Sequence, residues 1–459
     1  MTMRYGITRY GITPKPARLL IPLGAAVCLA LFGDLTLYAV LATERDAVGL
    51  SLGAVGVMLA ANRLIRIPGN PVVGTLFDVR GRRRLFILGM LLGTLSTGLY
   101  GLVRGFAPFL LARLMWGTAW MLINIGGTAM ILDISTPANR GKLIGGYNAW
   151  MLLGFALGPF VGGALVDALG FRPAMLICAG CTAAGLLCAV FGLPETATAQ
   201  ATAARVRSNG FSRSNANLRA TANLRATAKA VTTNLLTLWR NGLHLFLVHP
   251  RLLSAALLYL LTLFVGEGVA LSTLNLWLEQ QLGTTIALGD LALGLAAASG
   301  FLAGARALIA GVAGPVAGAL SDAAASLSGG AAGRNAVGRN AVIIGGMLIS
   351  ALGLVWLAFS ASPVSILLAV LLSAVGDGAV RATLTATLGD FAPPESKGLI
   401  MGMYATIGDV GSTLGPLLAF ALLPLIGLRW LYALCAVVFI VGLGLVWQMQ
   451  RRVSKRVNE

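Results

Sequence analysis

Long apolar runs alternate along this chain with short stretches rich in Arg, Gly and Pro. A helix crosses a hydrocarbon layer of roughly 30 Å with about 20 consecutive apolar residues. Twelve runs are long enough, near residues 19–43, 51–77, 85–103, 107–132, 141–166, 172–193, 252–278, 287–320, 341–359, 364–389, 398–424 and 429–449. Each predicts a membrane-spanning helix. The eighth exceeds what one crossing needs and can be trimmed at either end. The first is too long for the apolar part of a cleavable signal and is not followed by an A-x-A site.

The polar stretches set the orientation. Of the 34 Lys and Arg residues, 25 lie in the two tails, the central stretch and the loops after even-numbered runs, whereas only Arg45, Arg104, Arg172 and Arg429 lie on the opposite side. The positive-inside rule then predicts a multi-pass protein of the cell membrane with both termini cytoplasmic. The implied organisation is a tail (1–18), a six-helix bundle (19–193), a basic linker (194–250), a second six-helix bundle (251–449) and a tail (450–459). The linker is rich in Ala, Thr, Asn and Arg, with Glu195 its one acid. It reads as a solvated connection. Back-to-back duplications (RYGIT at 4–13, NLRATA at 217–228, GRNAV at 333–342) lack structural spacing and carry no function.

Composition narrows the class. The chain of 459 residues is 57% hydrophobic and only 11% charged, against about 25% charged in soluble domains. Its mean hydropathy is +0.84. The net charge of +18 does not imply nucleic-acid binding, because the cations sit between apolar runs rather than in a patch interleaved with exposed aromatics. Cys178 and Cys181 form a C-x-x-C, but all five cysteines fall inside apolar runs and no second ligand pair accompanies them. They read as buried small residues, and no metal or cofactor is implied. No cluster of catalytic groups and no phosphate-binding loop is visible, which argues against an enzyme or an ATP-driven pump.

An internal repeat spans the chain. Asp133, Pro137, Gly141, Gly145, Tyr147, Gly154, Gly158 and Pro159 recur 257 positions later as Asp390, Pro394, Gly398, Gly402, Tyr404, Gly411, Gly415 and Pro416. The same spacing relates Gly81-Arg82 to Gly338-Arg339. Upstream a spacing of 244 relates Pro71, Gly74 and Asp78 to Pro315, Gly318 and Asp322. Two six-span halves in parallel orientation place a substrate site at their interface near the midplane.

With these residues in view, the chain resembles the major facilitator superfamily over essentially its whole length. Gly74, Asp78, Gly81, Arg82 and Arg83 match the signature G-x-L-x-D-x-x-G-R-[RK] after the second span. With Asp133 they imply a cytoplasmic charge latch suited to alternating access. Arg113 and Gly117 are similar to the R-x-x-x-G element implicated in proton coupling. Gly145, Gly154, Gly158, Pro159, Gly162 and Gly163 match the antiporter signature G-x8-G-x3-G-P-x2-G-G. The resemblance implies an all-α membrane fold of twelve helices in two pseudo-symmetric halves, and a drug:proton antiporter. The implied partners are a small-molecule substrate, protons and the bilayer, with no obligate protein partner.

Nine ionisable residues lie well inside spans: Arg63, Arg66, Arg113, Arg306, Arg381, Asp34, Glu267, Asp377 and Asp409. A charge at a helix centre costs roughly 2.5–3.5 kcal/mol on insertion scales, so each should face the bundle interior or a partner. Asp377 and Arg381 share a helix face at i, i+4 and can pair. Arg63 and Arg66 together need an anion. Asp34 (in Phe-Gly-Asp) and Glu267 (in Val-Gly-Glu) occupy related places in spans one and seven and are the proton-carrier or cation-substrate candidates. Inert ion pairing remains the alternative for both. The four arginines 63, 66, 306 and 381 motivate a second reading, an uptake carrier or exchanger for an organic anion.

Overall fold

The computed structural model describes residues 16–136, 139–196, 240, 242–288, 291–327, 332–391 and 397–457. Expectations for residues 1–15, Pro137, linker residues 197–239 with the NLRATA repeat, Pro394 and the last two residues lie outside that set.

The first half contains α1 (Pro16–Val40), α2 (Leu52–Leu64), α3 (Arg66–Arg80), α4 (Arg82–Leu102), α5 (Phe106–Ile134), α6 (Arg140–Leu169) and α7 (Phe171–Gly192). The second contains α8 (Pro250–Leu263), α9 (Leu271–Leu282), α10 (Leu295–Leu327), α11 (Ala332–Phe359), α12 (Pro363–Phe391) and α13 (Lys397–Val457). Among the described residues, ten segments are individually long and apolar enough to cross a membrane. Two features bring ten to the predicted twelve. Helices α2 and α3 are each too short and together form the second span. Helix α13 holds two spans that turn at Gly427, whose φ of 71° suits glycine.

Three spans depart from the expected continuous helices. The second divides into two helices at Ile65, between Arg63 and Arg66, where φ and ψ remain helical (−65°, −25°). In the seventh, a seven-residue π-helical segment, Phe264–Ala270, joins α8 to α9 and carries Glu267. The eighth starts at Leu295 rather than 287. Before it, β1 (Thr285–Leu288) pairs antiparallel with β2 (Leu291–Gly294), Thr285 opposite Gly294. Gly283, at φ 79°, ends α9, and β-branched Thr285 and Ile286 favour the extended chain that follows.

Small residues govern helix packing, because close backbone approach is what draws helices together in lipid. Gly154, Gly158 and Gly162 of α6 lie against Cys28, Phe32 and Thr36 of α1. Thr36 Oγ1 donates to the Gly158 carbonyl at 3.1 Å. The next residue, Gly163, faces the other half and lies against the backbone of Ala296 in α10, while Gly300 and Gly304 of α10 lie against Pro159 and Ala156. Gly56 of α2 meets Pro416 and Phe420 of α13. These contacts seal the two halves on the face opposite the N-terminus, here termed the far face. Towards the other, basic face the fit is looser: a Cβ at Gly74, Gly145, Gly318 or Gly402 would meet nothing within 4 Å.

Candidate functional site

Between the halves lies a cavity of about 340 Å³, within the range of small-molecule sites. Leu35 and Tyr38 of α1, Leu152, Phe155 and Pro159 of α6, and Leu271 of α9 supply apolar and aromatic walls. Arg63, Arg306, Arg381 and Glu267 supply the charge. Three guanidiniums and one carboxylate thus face the same space.

The ion pairs form two groups. The first is sealed within the N-terminal half. Arg113 of α5 pairs with Asp34 of α1, donates from Nε to the Met58 carbonyl at 2.8 Å and reaches Tyr100 OH at 3.2 Å. Its guanidinium also stacks 5.3 Å from the Tyr38 ring centroid. The Asp34 side chain is only 10% exposed and that of Arg113 is fully buried.

The second group crosses between halves. Glu267 accepts from Arg381 Nη1 at 2.6 Å and meets Arg63 Nη2 of the other half at 3.4 Å. Arg381 and Arg306 share Asp377, at 3.5 and 3.0 Å. Arg66 of α3 pairs with Asp409 of α13, a second link between halves. The Glu267 side chain is 33% exposed, and that surface faces the cavity. Among the described residues, the spare Nη1 of Arg63, Nε of Arg306 and Oδ1 of Asp377 are buried without a hydrogen-bond partner.

Local structure explains these placements. Arg63 and Arg66 lie three residues apart across Ile65, whose backbone stays helical (φ −65°, ψ −25°), and each reaches a different carboxylate of the other half. The π segment widens the turn around Glu267, and Gly266 and Gly268 flank it; such segments recur at functional sites. Gly268 packs on Gly415 of α13, so the backbone carrying Glu267 is held close to the eleventh span.

The remaining predicted residues lie elsewhere. At the basic face Arg82 Nε pairs with Asp133 at 3.3 Å, and the related pair Arg339–Asp390 closes at 3.0 Å. Glu195 accepts from the backbone N–H of Arg82 at 2.9 Å, at the start of α4. Thr196 donates to Asp133 at 3.0 Å, and Arg83 Nη2 to the Val190 carbonyl at 2.5 Å. These contacts tie elements within one half. Gly74 has open space around it, and the Asp78 side chain lies outside the described residues. Gly145, the first glycine of the antiporter signature, likewise has open surroundings, whereas its later members form the α1 and α10 contacts. The five cysteines are free, and no group of His, Cys, Asp or Glu among the described residues is arranged to hold a metal.

The sequence profile of the Major Facilitator Superfamily matches residues 23–331 and 292–459. The chain belongs to that family. Membership points to a membrane transporter rather than an enzyme. Multidrug resistance protein 1 of Bacillus subtilis is 31% identical over 125 residues, 27% of this chain and 32% of the relative. Quinolone resistance protein NorA of Staphylococcus aureus is 29% identical over 120 residues, 26% of this chain and 31% of the relative. Each match thus spans about a third of the relative's length. Among solved structures, a bacterial homolog to the human lysosomal transporter Spinster, inward-facing and unoccupied, superposes with a TM-score of 0.73 at 15% identity. That superposition covers 97% of this chain and 99% of the other. The human organic anion transporter MFSD10 (TETRAN) gives 0.58 at 18% identity, over 94% and 100% of the two chains. These likenesses concern the fold.

Proposed function

We propose that this transporter exports small organic molecules by proton antiport, with Glu267 as the coupling carboxylate. The observation that carries the proposal is the meeting at Glu267 of Arg381 from its own half and Arg63 from the other. Protonation removes the charge that attracts both guanidiniums. The link between halves weakens, and bundles 19–193 and 251–449 rock about the cavity. Loss of the proton restores the link. A cationic cargo would compete with the proton for the same carboxylate, which is the requirement for antiport. Export is supported by the glycine–proline signature on α6 and by relatives named for multidrug and quinolone resistance. The distribution of Lys and Arg supports placing both termini and the basic face in the cytoplasm. The test is transport in inside-out vesicles: uptake of a lipophilic cation should follow an imposed pH gradient, and indifference to the gradient would remove the coupling.

A second reading rests on the unpartnered donors of Arg63 and Arg306. An organic carboxylate or phosphate in the cavity would satisfy them. The sign of coupling then reverses. Protonated Glu267 frees Arg63 and Arg381 for the anion, so proton and cargo bind together and travel as cotransport or exchange. In the same vesicles, acid on the loading side should weaken binding of a cation under the first reading and strengthen that of an aryl sulfonate under the second.

A further inference from the structure

The two contacts between the halves are related by the internal repeat, but their far ends are built differently. Where α2 lies against α13, α2 is capped by its own Ser51, whose hydroxyl accepts from Ala54 N–H at 3.3 Å. Where α10 lies against α6, Gly294 immediately precedes α10 and has no side chain to supply a cap. The cap comes from the other half instead. Asp167, near the end of α6, accepts from Ala296 N–H at 3.1 Å on one carboxylate oxygen and from Ala297 N–H at 2.8 Å on the other. The first N–H groups of a helix have no partner within it, and the dipole there favours a negative charge. Gly294 is required for the approach: any Cβ would overlap the Asp167 carboxylate. At the position related to Asp167 by the spacing of 257 stands Pro424, which has no acceptor side chain.

We propose that Asp167 is a positioning residue for transport, a latch whose carboxylate holds the far face shut by capping α10 from the opposite half. The proposal rests on the alternating-access reading and is independent of the cargo. For the far face to open, α10 must move off α6 and both bonds break. Removing the charge of Asp167 weakens both bonds. The groups facing this carboxylate are acidic. Glu44, between α1 and α2, and Glu279 of α9 share the far mouth. The Glu44 carboxyl is raised from its ordinary value, first by its own burial and then by Asp167 and Glu279. It therefore takes up a proton early as the pH falls, and until then it adds to the repulsion at this mouth. Arg45 and Asp46, the charged neighbours of Glu44, lie 3.9 Å apart from each other.

Double electron–electron resonance on the full chain in nanodiscs tests the latch. Spin labels carried on non-canonical residues at exposed positions 106 and 361 leave the cysteines untouched and report the far-face separation. Asp167→Ala should raise the ratio of far-open to far-closed molecules by roughly fivefold, the size of a lost helix cap. Asp167→Asn, which keeps one acceptor oxygen but no charge, should open the far face less than Asp167→Ala does. The double variant Asp167→Ala/Gly294→Ser separates a latch from a mere cap. It frees space for the serine Cβ and returns a cap to α10 within its own half. A far face that stays open in this variant supports the latch; one that closes as in the unmodified chain overturns it. Unchanged distances in Asp167→Ala would also overturn it. Glu267→Gln should leave the far-face response to Asp167→Ala in place, so failure of the coupling proposal and failure of the latch give different results.

Discussion

Asp34 and Glu267 occupy related places in the two halves, each after a glycine in a half's first span, yet the fold uses them oppositely. Asp34 is sealed inside one half against the fully buried Arg113, with Tyr100 and the Met58 carbonyl completing the shell around that guanidinium. Every partner in that group moves with it. Glu267 faces the cavity and bridges Arg381 of its own half to Arg63 of the other. A proton on Asp34 would disturb a core, whereas a proton on Glu267 would disturb an interface. Only the second change can be read out as relative motion of the halves. On the proposed mechanism, ion pairing within the bilayer does not by itself mark function; pairing across the boundary between the halves does.

The comparison can be broken by exchange of charge for amide. The largest effect is expected for Glu267→Gln, which should bring pH-gradient-driven transport in proteoliposomes to background while the folded protein accumulates normally. Next comes Arg113→Ala, which leaves Asp34 buried without its partner. It should cost about 3–5 kcal/mol of stability, seen as a loss of folded protein in detergent unfolding experiments. Gly300→Leu sharpens the contrast between the sealed and open ends of the interface. Its Cβ would fall on the Pro159 carbonyl, so overpacking should cost roughly 1–3 kcal/mol and raise far-face labelling. The same change at Gly318, which has open surroundings, should be nearly silent. The smallest effect is expected for Arg82→Gln or Arg339→Gln. Each removes one partly exposed ion pair worth about 0.2–1 kcal/mol and should alter transport rate more than thermal stability.

Much of the fold was legible because the bilayer imposes a length on apolar runs and the chain repeats its markers at fixed spacing. The twelve crossings, the two halves and the Arg82–Asp133 and Arg339–Asp390 relation all follow from local pattern or repeat. Three local departures were less legible. The interruption at Ile65 had a signal in the Pro68-Gly69-Asn70-Pro71 that follows it, whereas the π segment at Phe264–Ala270 leaves the apolar pattern intact, since it lies within a continuous run. Gly266 and Gly268 beside Glu267 were the available signal for the second. The strands 285–288 and 291–294 are apolar apart from Thr285, and so read as an extension of the eighth span, although Gly289-Asp290 between them was an available turn signal. The ion-pair partners were harder still. Charge balance called for pairing, but Arg63 with Glu267 and Arg66 with Asp409 join residues far apart in sequence, and only the packed bundle selects them. Asp167 went unnoticed because an acid near a helix C-terminus looks like loop solvation; its meaning comes from the helix of the other half that it caps.

The central claim, that Glu267 rather than Asp34 couples protons to transport, is tested most directly by measuring proton flux together with cargo flux in proteoliposomes. Asp34→Asn and Glu267→Gln should be compared at equal amounts of folded protein. The account predicts that Asp34→Asn retains proton flux in proportion to cargo, with a lowered unfolding temperature, and that Glu267→Gln moves no protons with cargo. Proton-linked transport that survives Glu267→Gln and disappears in well-folded Asp34→Asn would contradict it.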